Sequence, residues 1–234
     1  MQARAAARDA RPKRQAILRI GITGHRRHRL KVPDRILIQR ILDVIRLLRR
    51  AGKFKSAGDI EIVSALAEGA DEIVARAALK LGCRMTAVVP FKPADYTTTF
   101  SDKGHKAVFR DLMHGADDRI VLPGSLRDAN EAYVAVGLET LNRSDVVLTI
   151  WDGAPAQGRG GTPEILQSAL ERRLPVIWID ATKDRAPRLL QRSARGPCPR
   201  LDSTASRAKP FRIGSASEIL APVAKRRALL RPRD

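Results

Sequence analysis

The feature that most constrains the fold is a unit that occurs three times: an apolar, β-branched run, a loop rich in small residues, and a helical pattern. The apolar runs lie at 16–20, 59–63 and 145–151. Strands that alternate with helices form a parallel sheet covered on both faces, and the loops that follow its strands emerge at one edge. The sequence therefore predicts a Rossmann-like α/β fold with a doubly wound, mostly parallel sheet.

Apolar periodicity gives the expected order of elements. Strands are expected at 16–22, 59–65, 84–90, 119–122, 145–151 and 175–180, and helices at 33–51, 70–82, 104–115, 128–142 and 163–173. The interval 91–103, which contains Pro93 and three threonines, is expected to be an irregular lid or binding loop. After Asp180, prolines among Arg and Ser residues predict poor order, with one short helix near 215–225.

The loop of the second unit, Ser-Ala-Leu-Ala-Glu-Gly-Ala-Asp at 64–71, indicates an anion site. A helix that starts just after a strand has unpaired backbone N–H groups and a positive dipole end, which together hold phosphate or carboxylate. The first loop, 21–27, and the third, 152–164, have the same layout. An ordinary turn with a glycine explains any one of these loops, but three of them favour a shared ligand site at the carboxyl edge of the sheet.

The three loops supply the candidate ligand contacts, which are glycines for close approach, hydroxyl and amide donors, and charged side chains. They are Gly21, Thr23, Gly24, His25 and Arg26 in the first loop, Ser64, Glu68, Gly69, Ala70 and Asp71 in the second, and Asp152, Gly160, Gly161, Thr162 and Glu164 in the third. Glu164 and Glu68 are the candidate acid/base catalysts. A structural role is the alternative for two carboxylates, because Glu164 would favour the dipole of a helix N-terminus and Asp152 would fix a turn.

Segments in all three loops resemble known families. Segment 64–71 is similar to the Ser-Gly-Leu-Ala-x-Gly-Ile-Asp segment of bacterial DNA-processing protein A, and Gly-Ile-Thr-Gly-His-Arg at 21–26 is similar to that family's first strand and Gly-x-Arg turn. Gly-Gly-Thr-Pro-Glu at 160–164 resembles the Gly-Gly-x-Gly-Thr-x-x-Glu loop of the "lonely guy" phosphoribohydrolases. Both families belong to the Rossmann-like SLOG superfamily. The resemblance, which covers residues 17–180, implies binding of a nucleotide or a nucleotide-derived ligand.

One departure limits what the resemblance implies about catalysis. In the phosphoribohydrolase loop the glutamate follows the threonine by three residues, whereas Glu164 follows Thr162 by two. One residue of a helix corresponds to a rotation of about 100°, so the carboxylate would face a different direction. The resemblance therefore implies ligand binding better than it implies hydrolysis.

Charge divides the chain into three parts. Residues 1–56 have a net charge of +14, residues 57–182 of −5, and residues 183–234 of +10, which together give the formal net charge of +19. We divide the chain into a basic tail at 1–14, a nucleotide-binding domain at 15–182, and a basic, largely irregular segment at 183–234. The basic ends would attract nucleic acid non-specifically, or they are simply solvated arginine-rich surface.

Motifs of several other function classes are missing from the sequence. The four histidines form no His-Glu-x-x-His arrangement, and neither a Walker phosphate loop nor a Gly-x-Ser-x-Gly motif occurs. We therefore predict no metal and no separate cofactor. Two cysteines indicate a reducing, cytoplasmic location, and no apolar run approaches the roughly 20 residues that span a bilayer. The edge strands of the predicted sheet would allow a homodimer.

Three functions fit these observations. The first is a nucleotide-binding module that senses or sequesters its ligand. The second is a hydrolase of the N-glycosidic bond of nucleoside monophosphates, with Glu164 or Glu68 near the ribose. The third is a single-stranded DNA-binding protein of the DNA-processing type, although an aromatic content of 4% is low for stacking bases.

Overall fold

A mixed, mostly parallel sheet crosses the computed structural model, which describes residues 17–155, 159–191, 201, 205 and 208–229. The strands are β1 (Leu18–Gly24), β2 (Ile60–Ser64), β3 (Arg84–Val89), β4 (Asp118–Val121), β5 (Val146–Trp151), β6 (Val176–Asp180), β7 (Arg188–Leu190) and β8 (Lys209–Pro210). Their spatial order is β4-β3-β2-β1-β5-β6-β7-β8. The pairs from β4 to β6 are parallel, and the last two pairs are antiparallel. The expected Rossmann-like α/β fold is confirmed.

Helices cover both faces of the sheet. They are α1 (Asp34–Ala51), α2 (Ala70–Lys80), α3 (Pro93–Thr97), α4 (Lys103–Gly115), α5 (Ala129–Asn142), α6 (Thr162–Glu171) and α7 (Ile213–Leu229). In α1, buried residues recur at Leu37, Ile41, Ile45 and Leu48, which is the spacing of one helical face. Helices α1, α2 and α7 share a core with one face of β1 and β5, whereas α6 packs on the opposite face. None of the helices among the described residues combines the length and apolarity needed to cross a bilayer.

The strand order reverses at β1, which is the topological switch point of the sheet. Ile20 of β1 lies opposite Ile62 of β2 on one side and opposite Val146 of β5 on the other. The connections after β1 and β5 therefore leave the sheet side by side, in opposite directions. In open α/β sheets such a switch point creates a crevice at the carboxyl ends of the strands.

The interval 91–103 is a wall of packed aromatic residues, not the irregular lid that the sequence predicted. It contains α3, which Pro93 begins, and Phe91, Tyr96 and Phe100 are buried. The ring of Tyr96 lies edge-on to Phe91 and Phe100, at centroid distances of 5.6 and 5.1 Å. The threonines that suggested a loop instead donate hydroxyl hydrogen bonds to carbonyl oxygens three residues earlier.

Regular structure continues beyond residue 182, where the sequence predicted poor order. Strand β7 pairs with β6, β8 pairs with β7, and α7 buries Ala216, Ile219, Leu220 and Val223 against the core that contains α1. The helix predicted near 215–225 therefore exists and is longer than expected. The division of the chain at residue 182 stays a prediction. The basic tail at 1–14 and Cys198 lie outside the described residues.

Candidate functional site

A cleft of about 380 Å³ opens at the carboxyl ends of the sheet, where β1 and β5 diverge. Its walls come from the loops after β1, β2 and β5, together with α5 and the start of α6. Eight predicted residues line it: Thr23, Gly24, His25, Arg26, Asp71, Gly160, Gly161 and Thr162. The three loops that the sequence singled out therefore meet at one cleft.

The other seven predicted residues lie outside the lining of this cleft: Gly21, Ser64, Glu68, Gly69, Ala70, Asp152 and Glu164. Gly21 faces α5 within the sheet, where a side chain would collide with Ser144. The other six residues make contacts with neighbouring segments of the chain and so support the cleft without lining it.

The start of α2 is closed by contacts within the chain. The backbone N–H of Ala70, which the sequence suggested as a ligand donor, donates to the carbonyl of His25 at 3.0 Å. The N–H of Ile73 donates to the carbonyl of Gly69 in the first turn of the helix. Gly69 has φ +104°, and a Cβ there would lie 2.6 Å from the backbone of Arg27 and His25. Gly69 therefore permits contact between two loops, and α2 does not offer these amides to a ligand.

Asp71 is the carboxylate that faces the cleft. Its Oδ2 accepts hydrogen bonds from the Ser64 hydroxyl at 3.0 Å and from the Ala65 amide at 3.1 Å. Burial raises the pKa of Asp71 to about 6, although these hydrogen bonds and the nearby Arg26 favour the charged form. Ser64 is fully buried, so it acts on the cleft only by holding Asp71.

His25 and Arg29 share the Asp152 carboxylate. His25 Nε2 lies 2.8 Å from Asp152 Oδ1, but the geometry is not that of a well-aligned hydrogen bond. Burial lowers the pKa of His25, and this outweighs the opposite effect of Asp152. Arg29 Nη2 lies 2.5 Å from Asp152 Oδ2. Asp152 thus fixes the first loop against the third.

Glu68 holds the wall that contains α3. Its two carboxylate oxygens accept from the backbone N–H and the hydroxyl of Ser101, at 2.8 and 2.9 Å. Burial alone would raise the pKa of Glu68, but the two hydrogen bonds from Ser101 keep it below its ordinary value. Both oxygens are occupied within the chain, so Glu68 is poorly placed to act as an acid or base in the cleft.

The start of α6 presents donors to the cleft. Gly161 precedes the helix and Thr162 is its first residue, and both line the cleft. Among the described residues, neither the two backbone N–H groups nor the Thr162 hydroxyl has a hydrogen-bond acceptor. Glu164 turns back and accepts from the N–H of Gly160 at 2.6 Å. A helix start with free amides binds anions well.

Cations and two tyrosines complete the lining. Arg26, Arg29 and Arg159 line the cleft, and the Arg26 guanidinium lies 5.9 Å from the centre of the Tyr133 ring. Asp71 is the only carboxylate among the lining residues that the structure describes, but Asp152 and Glu131, which lie outside the lining, form ion pairs with Arg29 and Arg159. Sequence reasoning missed Tyr133, because it comes from the first half of α5 and not from a loop. The one signal for Tyr133 in the sequence is that the chain contains only two tyrosines.

In the described part of the chain, no group of three or more His, Cys, Asp or Glu side chains is arranged to hold a metal ion. The polar groups along the cleft are backbone amides, hydroxyls, the Asp71 carboxylate, and histidine and arginine side chains.

Comparison with known proteins shows similarity of fold. No protein-family model matches the chain, and no curated protein matches it. DNA processing protein A from Streptococcus pneumoniae superposes on 88% of the chain with a TM-score of 0.50 and 17% sequence identity. The chain spans 61% of the length of that protein. DNA processing protein A from Helicobacter pylori, described for its single-stranded DNA binding mode, superposes with a TM-score of 0.44 and 18% sequence identity. The superposition covers 71% of the chain and 70% of that protein. The expected similarity to the fold of DNA processing protein A is confirmed.

Proposed function

We propose that the protein binds a nucleotide or a nucleotide-derived ligand in the cleft, as a sensor or ligand-binding module. The observation that carries this proposal is the meeting of three strand–loop–helix units at one cleft of about 380 Å³ that is lined by three arginines. Pockets for small ligands usually have volumes of about 300–1,000 Å³ and contain a few convergent polar groups. The cleft thus fits one ligand of mononucleotide size.

The phosphate of the ligand would lie at the start of α6. The amides of Gly161 and Thr162 and the Thr162 hydroxyl are the donors there, while Arg159 of the same loop is paired with Glu131. The positive end of the helix dipole favours an anion at this position. On the opposite wall the Arg26 guanidinium adds a second attraction, whereas Arg29 is paired with Asp152.

The base would lie near Tyr133 and Arg26. Flat bases stack on aromatic rings and on guanidinium groups, and these two side chains already lie one over the other. The Asp71 carboxylate would accept a hydrogen bond from a ribose hydroxyl or a base N–H group. Neither Glu164 nor Glu68 lines the cleft, so binding is better supported than the hydrolysis of an N-glycosidic bond.

Replacing Gly161 with aspartate should weaken nucleotide binding more than about tenfold, because a carboxylate would occupy and repel the phosphate position. The helix itself should tolerate the change, since aspartate is a favoured residue immediately before a helix and Gly161 already has φ −80° and ψ 162°. Isothermal titration calorimetry with AMP, GMP, CMP and UMP, together with cyclic forms and dinucleotides, measures the effect.

Gly161→Ser is the matched control, because serine also caps helices but adds no charge. It should retain binding within a few-fold of wild type. No binding of any probe by the wild-type protein would refute the proposed function. Equal affinities of the aspartate and serine variants would refute the position of the phosphate at the start of α6.

Single-stranded DNA is a second candidate ligand. It is supported by the fold similarity to DNA processing protein A and by the formal net charge of +19. Arginine-rich surfaces attract nucleic acid through counterion release. The same Tyr133–Arg26 pair would then stack a base of a polymer.

Salt dependence separates the two candidates. Contact with about six phosphates would reduce the affinity for an oligonucleotide by about a thousandfold between 50 and 200 mM salt. A mononucleotide held by one phosphate should lose less than about tenfold over the same range. We expect the second behaviour for AMP-type probes. Fluorescence anisotropy with a labelled single-stranded oligonucleotide, alongside calorimetry with mononucleotides, makes the comparison. Tight oligonucleotide binding that excludes mononucleotides would favour DNA as the ligand.

A further inference from the structure

Glu164 has an unusual position for a residue in a candidate catalytic loop. It is the third residue of α6, and its Oε2 reaches back to accept the N–H of Gly160 at 2.6 Å. This N–H belongs to the residue before the N-cap Gly161, so the hydrogen bond ties the approaching loop to the first turn of the helix. The hydrogen bond closes a small ring that contains Gly161 and Thr162.

The closed turn is also pressed against α5. Gly160 has φ +74°, and a Cβ there would lie 3.0 Å from the carbonyl oxygen of Asn130 and from Tyr133 Cβ. The start of α6 is held in the same way, because Ile165 packs on Gly137 of α5. The turn is therefore fixed on one side by α5 and on the other by the Glu164 carboxylate. The wall that carries Tyr133 and the wall that carries Gly161 meet at this point.

The charge of Glu164 and its hydrogen bond have opposite consequences for an anionic ligand. A negative charge in the first turn of α6 opposes a phosphate bound at the same helix start. Its removal alone should therefore tighten binding. The hydrogen bond to Gly160, in contrast, keeps Gly161 and Thr162 on the cleft wall, so its loss should weaken binding. The sign of the change separates the two roles.

We propose that Glu164 is a positioning residue: its hydrogen bond to Gly160 holds the turn that places Gly161 and Thr162 on the cleft wall, and it thereby sets the affinity for the phosphate of the ligand. This proposal rests on the proposed function of the cleft. It assigns to Glu164 a role different from the acid or base that its loop suggested, because the carboxylate acts through a backbone amide and does not line the cleft.

Two substitutions test the proposal. Glu164→Ala removes both the charge and the hydrogen-bond acceptor, and it should weaken the binding of nucleoside 5′-monophosphates by about tenfold. Glu164→Gln removes the charge but keeps a carbonyl oxygen for Gly160, so it should bind as tightly as the wild type or up to about threefold more tightly. Glu171→Ala is the control, because it removes the same charge from the exposed far end of α6 and should leave the affinity unchanged.

Hydrogen exchange of the Gly160 amide gives a readout that needs no ligand. Exchange should accelerate at least about tenfold in Glu164→Ala and remain near the wild-type rate in Glu164→Gln. Tighter binding in both variants, or unchanged Gly160 exchange in the alanine variant, would overturn the proposal. If the wild-type protein bound none of the four mononucleotides, the proposed function and the effect on affinity would both be refuted, while the exchange rates would still decide whether Glu164 holds the turn.

Discussion

Replacement of Gly69 with alanine is expected to reduce the free energy of unfolding by about 4 kcal/mol. The backbone at Gly69 has φ +104° and ψ −119°, which residues with a side chain rarely adopt. A Cβ there would also lie 2.6 Å from Arg27 N and from His25 O. These are backbone atoms, and His25 O already accepts the Ala70 amide, so they cannot move aside cheaply. Urea denaturation followed by circular dichroism measures the loss.

Gly82 provides the matched control. It also has a positive φ, of +81°, but nothing lies within 4 Å of the position of its Cβ. Gly82→Ala should therefore cost only the conformational strain, about 1 kcal/mol. Equal losses for the two variants would mean that strain alone acts at Gly69, and a Gly69→Ala protein as stable as the wild type would contradict the close packing of the first two loops.

Gly69 illustrates why small residues in a loop are ambiguous when only the sequence is known. A glycine between a strand and a helix permits close approach to the backbone, and the sequence suggested that a ligand makes this approach. In the structure another loop makes it, through His25 and Arg27. Both situations need the same residue type, because both require the absence of a Cβ. The neighbouring loop is 40 residues away along the chain, and local sequence does not encode such a contact.

The central strands were predictable because they are buried continuously, and the main helices because one face of each is buried. All six residues of β5 are buried, and parallel strands covered on both faces require such continuous apolar runs. The two strands that sequence reasoning missed, β7 and β8, contain three and two residues. Their pairing depends on β6 and not on a local pattern. The guanidinium of Arg188 in β7 lies 3.7 Å from the centre of the Trp178 ring. A charged residue therefore occupies a strand position at which the apolar pattern of a strand would require an apolar residue.

The location of the cleft was predictable, but the direction of its side chains was not. Topology alone places the three loops at one edge of the sheet. Loop conformation decides which side chains face the cleft: Glu68 turns to Ser101, and Asp152 turns to Arg29. These partners come from other loops. Tyr133 reaches the cleft from within α5, where its neighbours give no sign of a ligand contact.

Asp71→Asn should remove a pH-dependent contribution of about 3 kcal/mol from the free energy of unfolding. The pKa of Asp71 is about 6 in the folded protein, against 3.8 as its ordinary value. The folded state thus binds a proton more tightly than the unfolded state. The stabilising contribution is complete below pH 4, falls between pH 4 and 6, and is lost above pH 6. Asparagine does not titrate, and it keeps an oxygen that can accept from Ser64 and Ala65.

The measurement is the difference in free energy of unfolding between Asp71→Asn and the wild type, at pH 4 and at pH 7 without ligand. The difference should shift by about 3 kcal/mol in favour of the variant at pH 7, because the wild type then has an ionised carboxylate in a buried site. Asp152→Asn is the control. Although burial would raise the pKa of Asp152, contacts with His25, Ala154 and Arg29 keep it below the ordinary value of 3.8, so its stabilising contribution is present above pH 4 and is lost only at lower pH, and the difference between this variant and the wild type should change little between pH 4 and pH 7. A pH-independent difference for Asp71→Asn would mean that Asp71 is not held in a buried site facing the cleft.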